Sequence, residues 1–305
     1  MAARIEMLST VPGKGRQSRK GTLRLAKKAA LDCLRKAQIE AGDIDLLIYA
    51  GIYRDDHIGE PSIASLIQKE IGANPNLYPL NKRTFSFDLN AGACGLVNSF
   101  QLIDGFISTG KISRGMVITG DSEPVKGLSE GFNYRSSASG IILVGSDNDL
   151  GFQHIKTYSY PQYADSFRSY ISWKRKKGRV RNRNILVVEQ KESYLSRCVE
   201  CSYDSLKLFL NETGLQISDI DLIIPSQSPA GFVPELEKAM GKPGISVEVN
   251  NSLRGELHTS GPAFALRDVW GNGLFHKASR VLFLTVGAGI STAIALYENK
   301  SPDRR

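Results

Sequence analysis

The sequence lacks the features that mark membrane, secreted or disulfide-rich proteins. No stretch approaches the ~20 consecutive apolar residues of a transmembrane helix. Residues 1–14 contain no apolar run of the kind found in signal peptides. Four cysteines in 305 residues do not suggest a disulfide framework. We therefore expect a globular protein of the cytoplasm, built as one large domain or two fused ones.

Histidine and cysteine are also too sparse to form an evident metal site, because the chain has only four of each. Cys198 and Cys201 have CxxC spacing, but they lie inside a helical pattern with no second pair of ligands nearby. We interpret them as helix-packing residues and predict no metal ion.

The one compositional bias is a net charge of +8, part of which is local. Residues 168–183 contain Tyr170, Trp173 and these basic residues: Arg168, Lys174, Arg175, Lys176, Lys177, Arg179, Arg181 and Arg183. Such a segment could attract a phosphate-bearing ligand, an acidic partner protein or nucleic acid, and a solvated surface is the structural alternative. We take Arg168, Lys174 and Arg175 as candidate ligand contacts, and nucleic-acid binding ranks last among the functions considered.

The most informative stretch surrounds Cys94. An apolar strand predicted at 84–89 leads into the small residues Ala91, Gly92 and Ala93, and a helical pattern begins at Cys94. Free N–H groups and the dipole at a helix N-terminus favour a thiolate and can hold the oxyanion formed when a thioester is attacked. These effects predict a lowered thiol pKa and a nucleophile, whereas a buried structural thiol is the alternative.

Helices and strands alternate along the chain. The predicted helices lie at 21–41, 62–71, from Cys94 to the turn at 109–110, and at 191–210, 233–240 and 261–270. The predicted strands lie at 45–52, 84–89, 116–120, 139–144, 221–224, 245–249, 280–285 and 291–297.

This order of elements occurs twice, and so do short strings of sequence. Residues 43–48 read DIDLLI where residues 219–224 read DIDLII, and residues 112–119 read ISRGMVIT where residues 278–285 read ASRVLFLT. The repetition indicates a duplication with a pseudo-twofold axis. We predict an α/β fold with an N-terminal half at 1–150, a basic connecting segment at 151–190 and a C-terminal half at 191–305.

The repeat also supplies a partner for the cysteine. The turn that corresponds to the Cys94 turn lies between the strand at 245–249 and the helix at 261–270, and it contains His258. Ligands of such sheets bind where the carboxyl ends of the strands meet, so Cys94 and His258 should face each other. An imidazole beside a thiol is the arrangement that makes a nucleophile at neutral pH. His57, His154 and His276 occupy no equivalent junction.

Three features together resemble the thiolase superfamily, and most closely its β-ketoacyl-acyl-carrier-protein synthase III branch. They are the stretch 87–95 (FDLNAGACG), the duplicated halves and the stretch 286–293 (VGAGISTA). The resemblance extends from about residue 20 to residue 297. It implies a layered αβαβα sandwich, usually a homodimer through the central sheet, although some relatives pair with a degenerate sister subunit. It also implies a CoA or phosphopantetheine thioester as substrate, and no permanently bound cofactor.

In that family the cysteine takes the acyl group, while a histidine and an asparagine support decarboxylation of a malonyl thioester and condensation. Cys94 matches the nucleophile. The pattern Pro-His-Gln-Ala-Asn reads PSQSP at 225–229, so Ser226 replaces the histidine. The pattern Gly-Asn-Thr-Ser reads LHTS at 257–260, so His258 replaces the asparagine. A serine hydroxyl is a weaker donor to an enolate oxygen than an imidazole, so malonyl decarboxylation is not favoured.

True thiolases, as the resemblance implies, use a histidine at the place of His258 to activate the cysteine. The second cysteine of thiolases has no counterpart at 285–289. Our hypothesis is therefore an acyltransferase with Cys94 as nucleophile, His258 as base and Ser226 as a polar contact. The oxyanion donors would be the backbone N–H groups of Cys94 and of the loop 286–289, which includes Gly287 and Gly289. The acceptor could be a carbon nucleophile, an alcohol or an amine, and the alternative is a non-catalytic partner subunit.

Overall fold

Two duplicated sheets and their helices make up most of the structure. A computed structural model describes residues 2–13, 21–75, 83–146, 150–174, 183–249 and 255–299. The first part of the chain contains β1 (Ala3–Pro12), α1 (Thr22–Ala37), β2 (Leu46–Tyr49), α2 (Ile63–Ile71), β3 (Phe85–Asp88), α3 (Gly95–Ser108), β4 (Arg114–Asp121), β5 (Ser129–Glu130) and β6 (Ser137–Gly145). The second part contains β7 (Gly151–Ser159), β8 (Phe167–Lys174), β9 (Arg183–Gln190), α4 (Tyr194–Thr213), β10 (Leu222–Pro225), α5 (Phe232–Met240), α6 (Gly261–Gly271), α7 (Leu274–Lys277), β11 (Arg280–Gly287) and β12 (Ser291–Glu298).

The first sheet has the strand order β1-β6-β4-β2-β3. Strand β2 pairs in parallel with β3 and β4, while β6 pairs antiparallel with β1 and β4. Every residue of β2 is buried, because helices cover both faces of the sheet, as the unbroken apolar run in the sequence predicted. The parallel strands all end at the edge where Cys94 begins the next helix.

The second sheet repeats this order as β7-β12-β11-β10. Strands β10 and β11 are parallel, and β12 runs antiparallel to both β11 and β7. The strand predicted at 245–249 is reduced to a single parallel bridge between Ile223 and Ser246, so that prediction was wrong in extent. The other predicted helices and strands are present, with ends that shift by a few residues.

The duplication is also visible in side-chain contacts. Asp45 accepts backbone N–H groups of Ser113 and Arg114 through one carboxylate oxygen at 2.8 and 3.0 Å. Its counterpart Asp221 accepts the N–H groups of residues 279 and 280 at the same two distances. The repeated string in the sequence therefore encodes the same contact twice. In each half, a carboxylate at the start of one strand binds the backbone at the start of its parallel neighbour.

Five layers result from this arrangement. Helices α1 and α2 cover the outer face of the first sheet, α4 and α5 cover the outer face of the second, and α3 and α6 lie between the sheets. Phe100 of α3 and Phe264 of α6 are buried in the central core between the sheets. The layered αβαβα sandwich expected from the resemblance is the observed fold. No helix in the described ranges is long and apolar enough to cross a membrane.

Three parts of the fold were not foreseen. The pattern predicted no element before residue 21, yet β1 forms an edge of the first sheet. The apolar residues at 84–89 are typical of a buried strand, but β3 is the opposite edge strand and Phe85 is 61% exposed. The segment 151–190 begins with β7 of the second sheet, and β8 and β9 form a small third sheet with β5.

The equivalent carboxylates of Asp45 and Asp221 allow the contribution of this repeated contact to stability to be tested. We expect Asp45→Ala and Asp221→Ala each to lower the free energy of unfolding by about 1–3 kcal/mol, because each leaves two backbone N–H groups without their acceptor. Asp32, which pairs with Arg35 one helical turn away, is the control, and Asp32→Ala should change the stability by less than about 0.5 kcal/mol. Denaturant unfolding measures the stability of all three variants. A loss for Asp32→Ala as large as those for Asp45→Ala and Asp221→Ala would contradict the role given to the two carboxylates.

Candidate active site

Cys94 ends a tight turn and begins helix α3. Residues Gly92–Cys94 form a single 3₁₀ turn, and Cys94 is the N-cap residue of α3, as predicted. Gly92 has φ of 55°, a left-handed conformation that disfavours other residues. The turn follows the carboxyl end of β3, so the sequence of small residues sets both the bend and the position of the thiol.

The thiol is held neutral, contrary to the expected lowering of its pKa. Cys94 is 1% exposed, and its Sγ lies 3.3 Å from the carbonyl oxygen of Ser291 and 3.6 Å from that of Thr285. Burial raises the pKa of the Cys94 thiol to about 12 from 9.0. A change of this size corresponds to about 4 kcal/mol, whereas a helix dipole supplies only about 0.3–1 kcal/mol at exposed sites. Desolvation therefore outweighs the dipole.

The loop after β11 packs directly against the Cys94 turn. A Cβ atom on Gly287 would lie 3.2 Å from the amide nitrogen of Ala93 and 3.7 Å from Cys94 Sγ. This close approach explains why a glycine stands at the end of β11. It also brings the carboxyl end of a strand from the C-terminal half to the cysteine of the N-terminal half.

His258 is oriented by a buried carboxylate, Asp121, which ends strand β4. The His258 Nδ1 atom lies 3.0 Å from Asp121 Oδ2. The same carboxylate accepts the backbone N–H and the hydroxyl of Thr259 at 3.0 and 2.6 Å, and its other oxygen accepts the N–H groups of Ile52 and Tyr53 at 2.9 and 2.8 Å. Because Nδ1 is engaged, Nε2 is the ring nitrogen available to a bound molecule.

These contacts keep Asp121 ionised. Burial alone would raise its pKa, but the charge of His258, followed by the hydrogen bonds from His258, Thr259 and Tyr53, lowers the pKa of Asp121 to about 2 from 3.8. The folded-state pKa lies below the unfolded value, so the stabilisation is present above pH 3.8 and is lost as the pH falls towards 2.

Aromatic rings fix the other faces of the imidazole. The ring centroid of Tyr134 lies 4.4 Å from that of His258, with 32° between the planes, and Tyr53 lies 5.4 Å away on a tilted plane. Tyr53 and Tyr134 also stack on each other at 5.2 Å. Burial raises the pKa of both hydroxyls, that of Tyr53 to about 12, so both rings remain neutral neighbours of the histidine.

One cavity joins the two halves of this site. The catalytic cavity, as we call it, has a volume of about 210 Å³ and is lined by both the Cys94 turn and His258. Its walls are formed by Ile52, Tyr53, Gly92, Ala93, Tyr134, Phe167, Ser169, Tyr194, Ser228, His258, Val286, Gly287 and Ala288. Gly92 and Ala93 of the Cys94 turn therefore share one cavity with His258, and Cys94 itself is not a wall residue of that cavity.

Ser226 is not a wall residue of this cavity. It is 1% exposed, and its Oγ accepts the N–H of Val286 at 3.0 Å. The hydroxyl thus ties the end of β10 to the loop after β11. Ser228, two residues later, is a cavity residue, and its hydroxyl donates to Glu256 Oε2 at 2.8 Å.

Two of the predicted oxyanion donors already have acceptors. The Cys94 N–H donates to the carbonyl of Ala91 at 3.1 Å, and the Val286 N–H donates to Ser226. In the same loop, Gly287 and Ala288 line the cavity, and Gly289 does not.

The basic residues and the cysteine pair that the sequence analysis singled out are not wall residues of the catalytic cavity. Arg168 is exposed on β8, with its guanidinium over the ring of Tyr170 at 5.5 Å. The side chain of Lys174 and all of Arg175 fall outside the described residues. Cys198 and Cys201 are buried in α4 within the core of the C-terminal half. Among the residues that the structure describes, no cluster of histidine, cysteine and carboxylate side chains could hold a metal ion.

Asp121 and Tyr134 were missed by the sequence analysis. Asp121 follows the buried strand MVITG, and a carboxylate at the carboxyl end of a parallel strand is a signal that could have been used. Tyr134 reaches His258 through an isolated parallel bridge to Glu256, which has no sequence signature.

Comparisons with solved structures show which fold the chain has. A solved 3-oxoacyl-(acyl-carrier-protein) synthase III superposes with a TM-score of 0.80 at 17% identity, covering 98% of this chain and 100% of that one. The Aquifex aeolicus synthase III gives 0.79 at 16% identity, with 97% and 99% of the two chains covered. OleA of Xanthomonas campestris, crystallised with lauric acid and lauroyl-CoA, gives 0.79 at 15%, with 98% and 99% covered. The chain has the thiolase-like fold that these proteins share.

Sequence comparisons show which named proteins the chain is related to. Residues 210–299 match the family described as 3-oxoacyl-[acyl-carrier-protein (ACP)] synthase III C terminal. The chain is 24% identical to β-ketoacyl-[acyl-carrier-protein] synthase III of Clostridium perfringens, with 90% of this chain and 83% of that protein covered. It is 27% identical to the Acholeplasma laidlawii synthase III, with 89% and 81% covered. These relatives are thus β-ketoacyl-[acyl-carrier-protein] synthases III.

The state of the resting thiol can be measured directly. Because burial raises the pKa of Cys94, we expect its alkylation by iodoacetamide at pH 7.5 to be at least tenfold slower than that of glutathione. The rate should keep rising through pH 9. Peptide mapping localises the label, with Cys94→Ser as the reference. A rate that levels off below pH 8 would show a stabilised thiolate instead.

Proposed function

We propose that the protein is an acyltransferase of the synthase III type, acting in fatty-acid-like or specialised biosynthesis. The observation that supports this most is that one cavity is lined both by the turn carrying Cys94 and by His258, which Asp121 orients. The donor is an acyl thioester of CoA or of an acyl carrier protein, and no permanently bound cofactor takes part.

In the first half-reaction Cys94 becomes acylated. The thiol turns from the carbonyls of Ser291 and Thr285 towards His258, and Nε2 accepts its proton. The sulfur then attacks the thioester carbonyl, a new carbon–sulfur bond forms, and the bond to the CoA or carrier thiolate breaks. The imidazolium returns its proton to that leaving thiolate. The negative charge of Asp121 stabilises the imidazolium while it exists.

In the second half-reaction an acceptor takes the acyl group. The neutral His258 removes a proton from a carbon acid, an alcohol or an amine as it attacks the acyl-cysteine, and the proton passes to the departing Cys94 sulfur. A carbon acceptor gives a β-keto product. An alcohol gives an ester and an amine gives an amide.

The position of Ser226 supports the alcohol and amine acceptors slightly. Its hydroxyl accepts the Val286 N–H and donates to the Val286 carbonyl oxygen at 3.4 Å. Because Ser226 is also not a wall residue of the cavity, it offers no donor to the enolate of a decarboxylating malonyl group. For the oxyanion of the acyl-transfer steps we propose the amides of Gly287 and Ala288, because these two residues of the loop line the cavity.

Acyl loading can be followed by intact-protein mass spectrometry after mixing the protein with a panel of acyl-CoAs and malonyl-CoA. We expect an acyl adduct that is absent in Cys94→Ala. His258→Ala should slow its formation by about 100-fold or more, because the base is lost. Asp121→Asn should slow it by a smaller factor, because the imidazole remains but loses its charged partner. Circular dichroism checks that each variant is folded.

The same experiment tests the alternative of a non-catalytic partner subunit. If no donor, whether CoA-bound or carrier-bound, leaves an adduct on the wild-type protein, the acyltransferase proposal fails and the subunit alternative is favoured. An adduct that persists in Cys94→Ala would exclude Cys94 as the nucleophile.

We further propose that Arg168, with Lys174 and Arg175 beyond it, contacts the phosphates of CoA or the acidic surface of a carrier protein. Exposed basic side chains favour association with such anionic partners. These contacts would guide the donor and would not take part in the chemistry.

The exposed edge of β3 supports a dimer formed through the central sheet, either of two identical chains or with a related subunit. Within the described residues β3 pairs only with β2, and Phe85 on it is 61% exposed. An open strand edge with an exposed aromatic residue is suited to pairing with a second strand.

Light scattering on a sizing column tests the dimer. We expect a dimer for the wild type and a shift towards monomer for Phe85→Glu, since a charge would be buried in the contact. Phe85→Leu is the matched control and should keep the dimer. A wild-type protein that stays monomeric at micromolar concentrations would contradict the proposal.

A further inference from the structure

A carboxylate lies directly behind one wall of the catalytic cavity. Ser228 is a wall residue, and its hydroxyl donates to Glu256 Oε2 at 2.8 Å. The other oxygen of the carboxylate accepts the side-chain amide of Asn133 at 3.3 Å. Both donors are neutral, so these hydrogen bonds hold the Glu256 carboxylate in place without cancelling its charge.

The backbone also fixes Glu256 relative to the imidazole. The Glu256 N–H donates to the Asn133 carbonyl at 2.9 Å, and the Glu256 carbonyl accepts the Arg135 N–H at 2.8 Å. The same segments form the parallel bridge to Tyr134, whose ring lies against His258. His258 follows Glu256 by two residues. The carboxylate therefore has a defined position beside the group that the proposed function uses as a base.

No positive charge offsets Glu256. Within the ranges that the structure describes, Glu256 takes part in no ion pair, and the wall of the catalytic cavity contains no lysine or arginine. Arg54, next to the wall residue Tyr53 in the chain, pairs with Asp88 at 2.9 Å. Burial and the charge of Arg267 lower the pKa of Arg135, and the carboxylate of Glu256 does not raise it.

The charge of Glu256 acts on groups that line the cavity. Burial is the largest cause that raises the pKa of the Tyr134 hydroxyl, followed by Tyr53 and then by the negative charges of Glu256 and Asp121. A protonated His258 would balance Asp121, but the proposed function needs a neutral imidazole. In that state both carboxylates act on the cavity without a counter-charge.

The catalytic cavity is too small for a bound anion to avoid this charge. A space of about 210 Å³ is about 7 Å across, so every point in it lies within about one Debye length of Glu256. Two negative charges about 6–10 Å apart repel each other enough, at the effective dielectric constant near a protein surface, to weaken binding by about 10- to 100-fold.

We propose that Glu256 excludes negatively charged groups from the catalytic cavity, so that the protein rejects malonyl-type thioesters and takes acyl groups and acceptors that are uncharged or cationic. This inference rests on the proposed function, in which the cavity holds the acyl group and the acceptor. It disfavours a carbon acceptor made from a malonyl thioester and favours alcohols and amines. Glu256 is then a specificity-determining residue, and it takes no part in bond making.

The test compares two thioesters that differ in one charge, malonyl-CoA and malonamoyl-CoA, in which an amide replaces the terminal carboxylate. Calorimetry measures the Kd of each on Cys94→Ala, which lacks the nucleophile. The ratio of the two values cancels the contribution of the CoA moiety and any difference in stability between variants. We expect malonamoyl-CoA to bind about 10- to 100-fold more tightly.

Two further substitutions in the Cys94→Ala background assign this preference. Glu256→Gln removes the charge but keeps an acceptor for the Ser228 hydroxyl, so the ratio should fall to about threefold or less. Glu248→Gln is the matched control, because Glu248 and Glu256 both line a separate cavity of about 470 Å³. Glu248 is exposed and is not a wall residue of the catalytic cavity, so its removal should change the ratio by less than about twofold.

These binding measurements do not depend on acyl transfer. If butyryl-CoA leaves no adduct on the wild-type protein but the preference is present and is lost in Glu256→Gln, the acyltransferase proposal fails and the role of Glu256 stands. Equal binding of the two thioesters, or a ratio unchanged by Glu256→Gln, overturns the role of Glu256 even where acylation succeeds. An equal loss in Glu248→Gln overturns it as well. If neither thioester binds, whether carried by CoA or by an acyl carrier protein, both proposals fail.

Discussion

The buried carboxylate of Asp121 is the contact on which the rest of the site depends. It lies at the end of β4 in the first half, accepts two backbone N–H groups from the segment after β2, and accepts three further hydrogen bonds from His258 and Thr259 in the second half. A single ionised group thereby joins both halves at the place where they meet. Its desolvation is offset by this complete set of donors, and the geometry of the imidazole follows from the same set.

The duplicated framework assigns different tasks to equivalent positions. Each half ends a strand with a turn and begins a central helix there. In the first half that turn carries Cys94, and in the second the corresponding turn carries His258. The glycine at the end of β11 allows one half to approach the turn of the other within van der Waals distance. The candidate site thus lies at the joint between two copies of one structural unit, and neither copy contains it alone.

Much of the fold and part of the site could be predicted from the sequence. Helical periodicity, buried strands and repeated strings located most elements, and the repeat paired the turn of Cys94 with that of His258. Asp121 could not be found from periodicity or repeats, because its role depends on donors from two distant segments, residues 52–53 and 258–259. The thiol pKa was predicted in the wrong direction because the helix terminus is visible in sequence while complete burial is not. β1 and the edge position of β3 depend on pairing between distant strands, which local patterns do not specify.

The neutral, buried thiol of Cys94 affects how fast the protein reacts with oxidants such as peroxides. Peroxides react with thiolates, and the first product, a sulfenic acid, proceeds to irreversible forms when excess oxidant is present. A cysteine that is kept protonated by burial contains almost no thiolate between turnovers. In the acyltransferase that we propose, the burial that keeps the thiol protonated between turnovers therefore also protects it from oxidative inactivation.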